Sequence, residues 1–92
     1  MMRGMGNAAM MVPDRVEIDA TGDAVLSADQ AASLLGVSLP TFLADLRAGI
    51  VYSVVERGEG ADAGTLRLTL RRRGTERRLV VEAATGRVIA AE

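Results

Sequence analysis

Three features of the sequence predict an α+β fold, with two short helices packed on one face of an antiparallel β-sheet meander. Residues 26–50, LSADQAASLLGVSLPTFLADLRAGI, hold two apolar-periodic runs that each follow a serine and each end at a glycine;. Segments near 15–19, 50–57, 65–72, 77–83 and 87–90 are rich in β-branched or alternating apolar residues;. Glycine-bearing turn signals separate most of these segments;.

The elements follow in chain order. Residues 1–12, MMRGMGNAAMMV, hold all five methionines without periodicity and are expected to form a poorly ordered tail, leaving 13–92 as a single small domain;. Met11 is an alternative start to Met1, because patterned sequence begins directly after it. Val16 and Ile18 alternate with Glu17 and Asp19 as in a half-buried strand, and Ala20-Thr21-Gly22-Asp23 is a turn signal leading to a short returning segment at 24–26;.

Ser27 with Gln30 three residues on forms a capping-box pattern, Ala31, Leu34 and Leu35 give one apolar face, and Gly36 ends the first helix;. Ser38 caps a second helix whose first turn tolerates Pro40;. Phe42, Leu43 and Leu46 form its apolar face and Gly49 closes it;. A compact helix pair with a short glycine-containing link has the form of a helix-turn-helix unit.

Beyond the helices, IVYSVVE reads as a strand and RGEGADAG as a flexible acidic loop that lacks the lysine ending of a phosphate-binding loop;. The next two strands are expected to form a hairpin. With Gly74-Thr75 as its two-residue turn, Leu66, Leu68 and Leu70 oppose Ala83, Val81 and Leu79 on an apolar face;. On the other face Arg67 opposes Glu82, Arg73 opposes Glu76, and Arg71 meets Arg78;. Arg71, Arg72, Arg77 and Arg78 then make a cationic hairpin end with few carboxylates. Either it is a solvated surface or it awaits an anion such as a phosphate backbone or an acidic protein surface.

Composition removes whole classes of chemistry. The 92 residues contain neither Cys nor His, so disulfides, thiolate or imidazole metal sites and Ser-His or Cys-His catalytic pairs are excluded within one chain;. No metal and no cofactor is expected, and the acidic residues Glu17, Asp19 and Asp23 do not reproduce a calcium-loop spacing;. A single Tyr and a single Phe leave little for stacking on bases;. No apolar run is long enough to cross a bilayer, no secretory signal is evident, and cytoplasmic placement is the expectation;.

The formal net charge of −1 conceals a division. Residues 1–66 carry four Arg against nine carboxylates, and residues 67–92 carry seven Arg against three. Every basic residue is arginine, which reads as codon bias in a GC-rich genome; the planar fork, suited to carboxylates and phosphates, bears only on the clustering;.

The run LSADQAASLLGVS, followed by Thr41, Phe42, Leu46, Arg47, Ala48, Gly49 and Ile50, resembles the small winged helix-turn-helix domains of phage excisionases and mercury-resistance-type regulators. That resemblance implies DNA binding by a recognition helix, with Ser38, Thr41, Asp45 and Arg47 facing the groove and the Arg-rich hairpin as a wing. The second helix departs from the pattern: it reads LPTFLADLR, with an exposed Asp45 and Arg47 as its only cation;. From Val16 onward the chain also resembles a family of short bacterial proteins of unknown function, which implies a fold and no activity. The expectation for function is a non-catalytic binding or assembly module, a homodimer or a partner of another protein. DNA binding with anion contacts from Arg47, Arg71, Arg72, Arg77 and Arg78 is the alternative.

Overall fold

Amides at the start of a helix have no partner within it, and two serines supply acceptors for them. In the computed structural model, which describes residues 11–92, helix α1 spans Ala28–Leu35 and helix α2 spans Leu39–Arg47. Ser27 Oγ accepts from the Gln30 amide at 3.1 Å, and Gln30 Oε1 accepts from the Ser27 amide at 3.0 Å, completing the capping box;. Gly36 then takes φ 73°, with its N–H bonded to the Ser33 carbonyl and that of Val37 to the Ala32 carbonyl;. Ser38 Oγ accepts from the Thr41 amide at 3.2 Å at the start of α2. At its end Gly49, at φ 75°, donates to Leu46 and Ile50 donates to Asp45.

Six strands are formed among the described residues: β1 Glu17–Ile18, β2 Ala24–Val25, β3 Val51–Arg57, β4 Thr65–Arg72, β5 Thr75–Glu82 and β6 Val88–Ala91. β1 and β2 form a small antiparallel pair, while β3-β4-β5-β6 is a four-stranded antiparallel meander in chain order. The predicted α+β class therefore holds, and β3 and β6 are the two edges of the main sheet.

Several boundaries differ from expectation for local reasons. The strand expected at 15–19 contracts to two residues because Asp19 folds the chain back on itself. Its Oδ1 accepts from the Thr21 amide, the Thr21 hydroxyl and the Asp23 amide, at 2.9, 2.6 and 3.0 Å;. Arg15 instead bridges to Arg87, so the entering chain lies against the turn before β6. The Val16 amide donates to Gly86 O and the Val88 amide to Asp14 O, both at 2.8 Å. The tail expected at 1–12 lies outside the described residues except for Met11 and Val12.

The β4–β5 register is a correction. The turn is Arg73-Gly74, not Gly74-Thr75, with Arg73 at φ 54°. Leu66 consequently opposes Val81, Leu68 opposes Leu79 and Leu70 opposes Arg77, a slip of two residues from the expected pairing. Because side chains alternate with period two, every residue keeps its face. What changes is the partner: Arg71 faces Glu76 and Arg78 faces Thr69, which avoids the Arg71–Arg78 confrontation;.

The core lies between the helices and one face of the sheet. Leu66, Leu68, Leu70, Leu79 and Val81 are buried there against Ala31, Ala32, Leu34, Leu35 and Phe42. Val16 and Val51 are buried in the same cluster. Of the apolar face expected on α2, only Phe42 is buried; Leu43 and Leu46 remain 38% and 49% exposed.

Candidate interaction surface

Alternation along β4 and β5 sends the hairpin arginines to opposite sides of the sheet. Arg72 and Arg77 share the helix-facing side with Leu70 and Leu79, whereas Arg71 and Arg78 share the open side with Thr69 and Glu76. The four are therefore not one patch. Arg72 Nε reaches Asp45 Oδ2 on α2 at 2.7 Å, and the two side chains are 22% and 13% exposed. Glu76 takes Arg71 at 2.8 Å and Arg78 at 2.7 Å, one on each carboxylate oxygen. Arg78 also meets Glu92 at 3.3 Å and donates from Nε to the Thr69 hydroxyl at 3.4 Å. Arg77 is half-buried, with Nη1 donating to the Glu76 carbonyl at 3.2 Å.

Two expectations are thereby corrected. The hairpin end is not short of carboxylates, since Glu76, Glu92 and Asp45 are all engaged with it. Pairing distance along the sequence concealed this, because Asp45 is 27 residues from Arg72 and Glu92 is 14 from Arg78. Asp45 is also not exposed as expected; its carboxylate is turned to Arg72 on the sheet. Ser38 and Thr41 are exposed, and their hydroxyls bond each other at 2.9 Å within the cap. Arg47 stands exposed in the last turn of α2.

A different surface went unrecognised in the sequence. β3 is hydrogen-bonded to β4 alone, leaving its outer side without a strand partner among the described residues. Its open-face residues Tyr52 and Val54 are 53% and 45% exposed. Its helix-side residues are Val51, Ser53, Val55 and Arg57, and the small Ser53 is itself exposed. Beside Ser53 an apolar groove of about 260 Å³ opens between β2, α2 and β3, lined by Val25, Phe42, Leu46, Tyr52 and the deeper Leu68 and Leu70. The alternation of Tyr52 and Val54 was visible in IVYSVVE, but their exposure depends on β3 lying at an edge, which no local pattern states.

At the far end of the sheet, hydrogen bonds from Arg87 and Thr85 hold the Glu82 carboxyl below its ordinary range, with the charges of Arg87 and Arg15 adding to the effect. The Asp19 carboxyl is likewise lowered, first by the Thr21 hydroxyl and then by the Asp23 amide. Both are turn-forming groups. Among the described residues no cluster of three or more Asp or Glu is placed to hold a metal ion, and no helix is long and apolar enough to cross a membrane.

A family model described as a family of unknown function (DUF6522) matches residues 10–92. No curated protein and no solved structure matches the chain.

Proposed function

The chain belongs to that family of unknown function, and from the geometry we propose that it is a non-catalytic assembly module whose partner is a second copy of itself, joined along β3. The observation that carries this reading is the outer side of β3, which has no strand partner among the described residues. Seven consecutive residues pair with β4 in unbroken register, and the strand contains neither proline nor a bulge. Soluble proteins ordinarily protect such an edge, because its free amides and carbonyls template another strand. The opposite edge is treated differently: β6 is four residues long, its pairing with β5 is irregular at Val80/Val81, and its first amide is taken by Asp14.

Apolar side chains border the same edge, with Tyr52 and Val54 on the strand and Val25 and Leu46 on flanking elements. A second copy laid against β3 removes them from water together with the strand's polar edge. The DNA reading has less support. Two of its four groove-facing residues, Ser38 and Thr41, are joined in a helix cap, and Asp45 is tied to Arg72. Arg47 is left as the only cation on α2.

Sedimentation velocity over a dilution series tests the proposal. A reversible dimer is expected, and Val54→Lys is expected to weaken it by roughly tenfold or more while leaving the circular dichroism unchanged. A native chain that stays monomeric at the highest concentration overturns the reading.

A further inference from the structure

Resting on β3-mediated self-association, we infer that two copies meet in a single antiparallel register, with Val54 of each on the two-fold axis. Three observations select it. Antiparallel pairing of a strand with its own copy keeps each face continuous only when paired residues have numbers of the same parity. Of the registers that satisfy this, the one centred on Val54 pairs all seven residues, Val51 with Arg57, Tyr52 with Glu56 and Ser53 with Val55. Registers centred on Tyr52 or Ser53 leave part of the strand unmatched and carry the overlap into the turn at Gly49.

Shape is the second. Ser53 is the small residue on the helix-facing side of β3 and lies beside the apolar groove that Val25 and Leu46 border. In the Val54-centred register it is opposed by Val55 of the other copy, a β-branched apolar side chain on that same side of the sheet. By symmetry each copy offers a Val55 to the space beside the other's Ser53.

Charge is the third. On the open face Glu56 comes opposite Tyr52 of the other copy, and Tyr52 is the β3 neighbour of Arg71 on β4. Glu56 and that Arg71 are then two strand spacings apart, about 10 Å between backbones, within the combined reach of the two side chains. Arg71 is 47% exposed in its pair with Glu76, so its guanidinium has room for a second carboxylate. Two such contacts form, one on each side of the axis, around a central Val54–Val54 contact.

The absence of native cysteine gives a direct test, because each introduced thiol is the only one in its chain. Directly opposed residues of an antiparallel pair have Cα atoms about 4.5–5.5 Å apart, which a disulfide spans. Under mild oxidation Val54→Cys is expected to convert most of the chain to a covalent dimer on a non-reducing gel. Tyr52→Cys and Glu56→Cys are each expected to remain uncrosslinked alone and to crosslink when mixed. Self-crosslinking of Tyr52→Cys or of Ser53→Cys in preference to Val54→Cys overturns the register while leaving self-association intact. A native chain that sediments as a monomer removes both. All four positions are exposed, so each variant is expected to retain the native circular dichroism spectrum.

Discussion

At the residue scale the clearest dependencies sit where one side chain or one missing side chain shapes a turn. Gly86 has φ 80°, is buried, and lies so close to the Val16 carbonyl that a Cβ would overlap it. Gly86→Ala therefore combines an unfavourable backbone conformation with a collision against main chain, and urea denaturation is expected to register a loss on the order of 2–3 kcal/mol. Asp19 acts through charge. Its carboxylate is stabilised in the folded state by donors at Thr21 and Asp23, so its folded pKa lies below the ordinary 3.8. The folded state consequently binds this proton less readily than the unfolded chain does. The contribution is complete above the ordinary value and is lost as pH falls toward the folded one. Asp19→Asn is expected to flatten the acid limb of a thermal-stability profile below about pH 4 and to lower stability at neutral pH. An unchanged acid limb in that variant would remove this account of the turn.

At the scale of elements, α2 and the β4–β5 hairpin are fastened by Arg72 and Asp45, whose side chains are both largely withdrawn from water. Arg72→Ala leaves a carboxylate partly buried without its partner, and a loss of about 2 kcal/mol in chemical denaturation is expected. Arg72→Ala combined with Asp45→Ala should be milder than the single change, because both charges are then gone. This fastening was not legible in the sequence, where Asp45 belongs to one local pattern and Arg72 to another.

The helices were legible because their determinants are local: Ser27 with Gln30, Ser38 with Thr41, Gly36 and Gly49 all act within four residues of one another. The faces of β4 and β5 were legible for the same reason, through the leucine alternation. The register was not, since a slip of two residues leaves every face unchanged and only the cross-strand partners differ. Arg73, a non-glycine residue at positive φ, supplied no sequence signal for the turn. Exposure of Leu43 and Leu46 was hidden as well: helical periodicity marks an apolar face but not whether the sheet beneath is wide enough to cover it.

For the whole molecule, charge division along the chain suggested an unbalanced basic end. Folding brings Asp45 from the acidic part to Arg72 and sets Glu76 and Glu92 against Arg71 and Arg78, so three arginines of that end are each matched by a carboxylate in space. Retention on labelled duplex DNA at low salt is accordingly expected to be weak and to vanish as salt is raised, as measured by fluorescence anisotropy. Tight binding that discriminates between duplex sequences at moderate salt would instead favour the helix-pair reading.

The contact of residues 14–16 with the turn before β6 has a bearing on stoichiometry. A strip adhesive along both margins grows without limit, copy upon copy, into a fibril. Here the entering chain tucks against one margin through Val16–Gly86 and Asp14–Val88, and on the proposed reading the other margin is consumed by its own likeness. On that reading growth of the sheet is expected to stop after a single addition, leaving a closed pair.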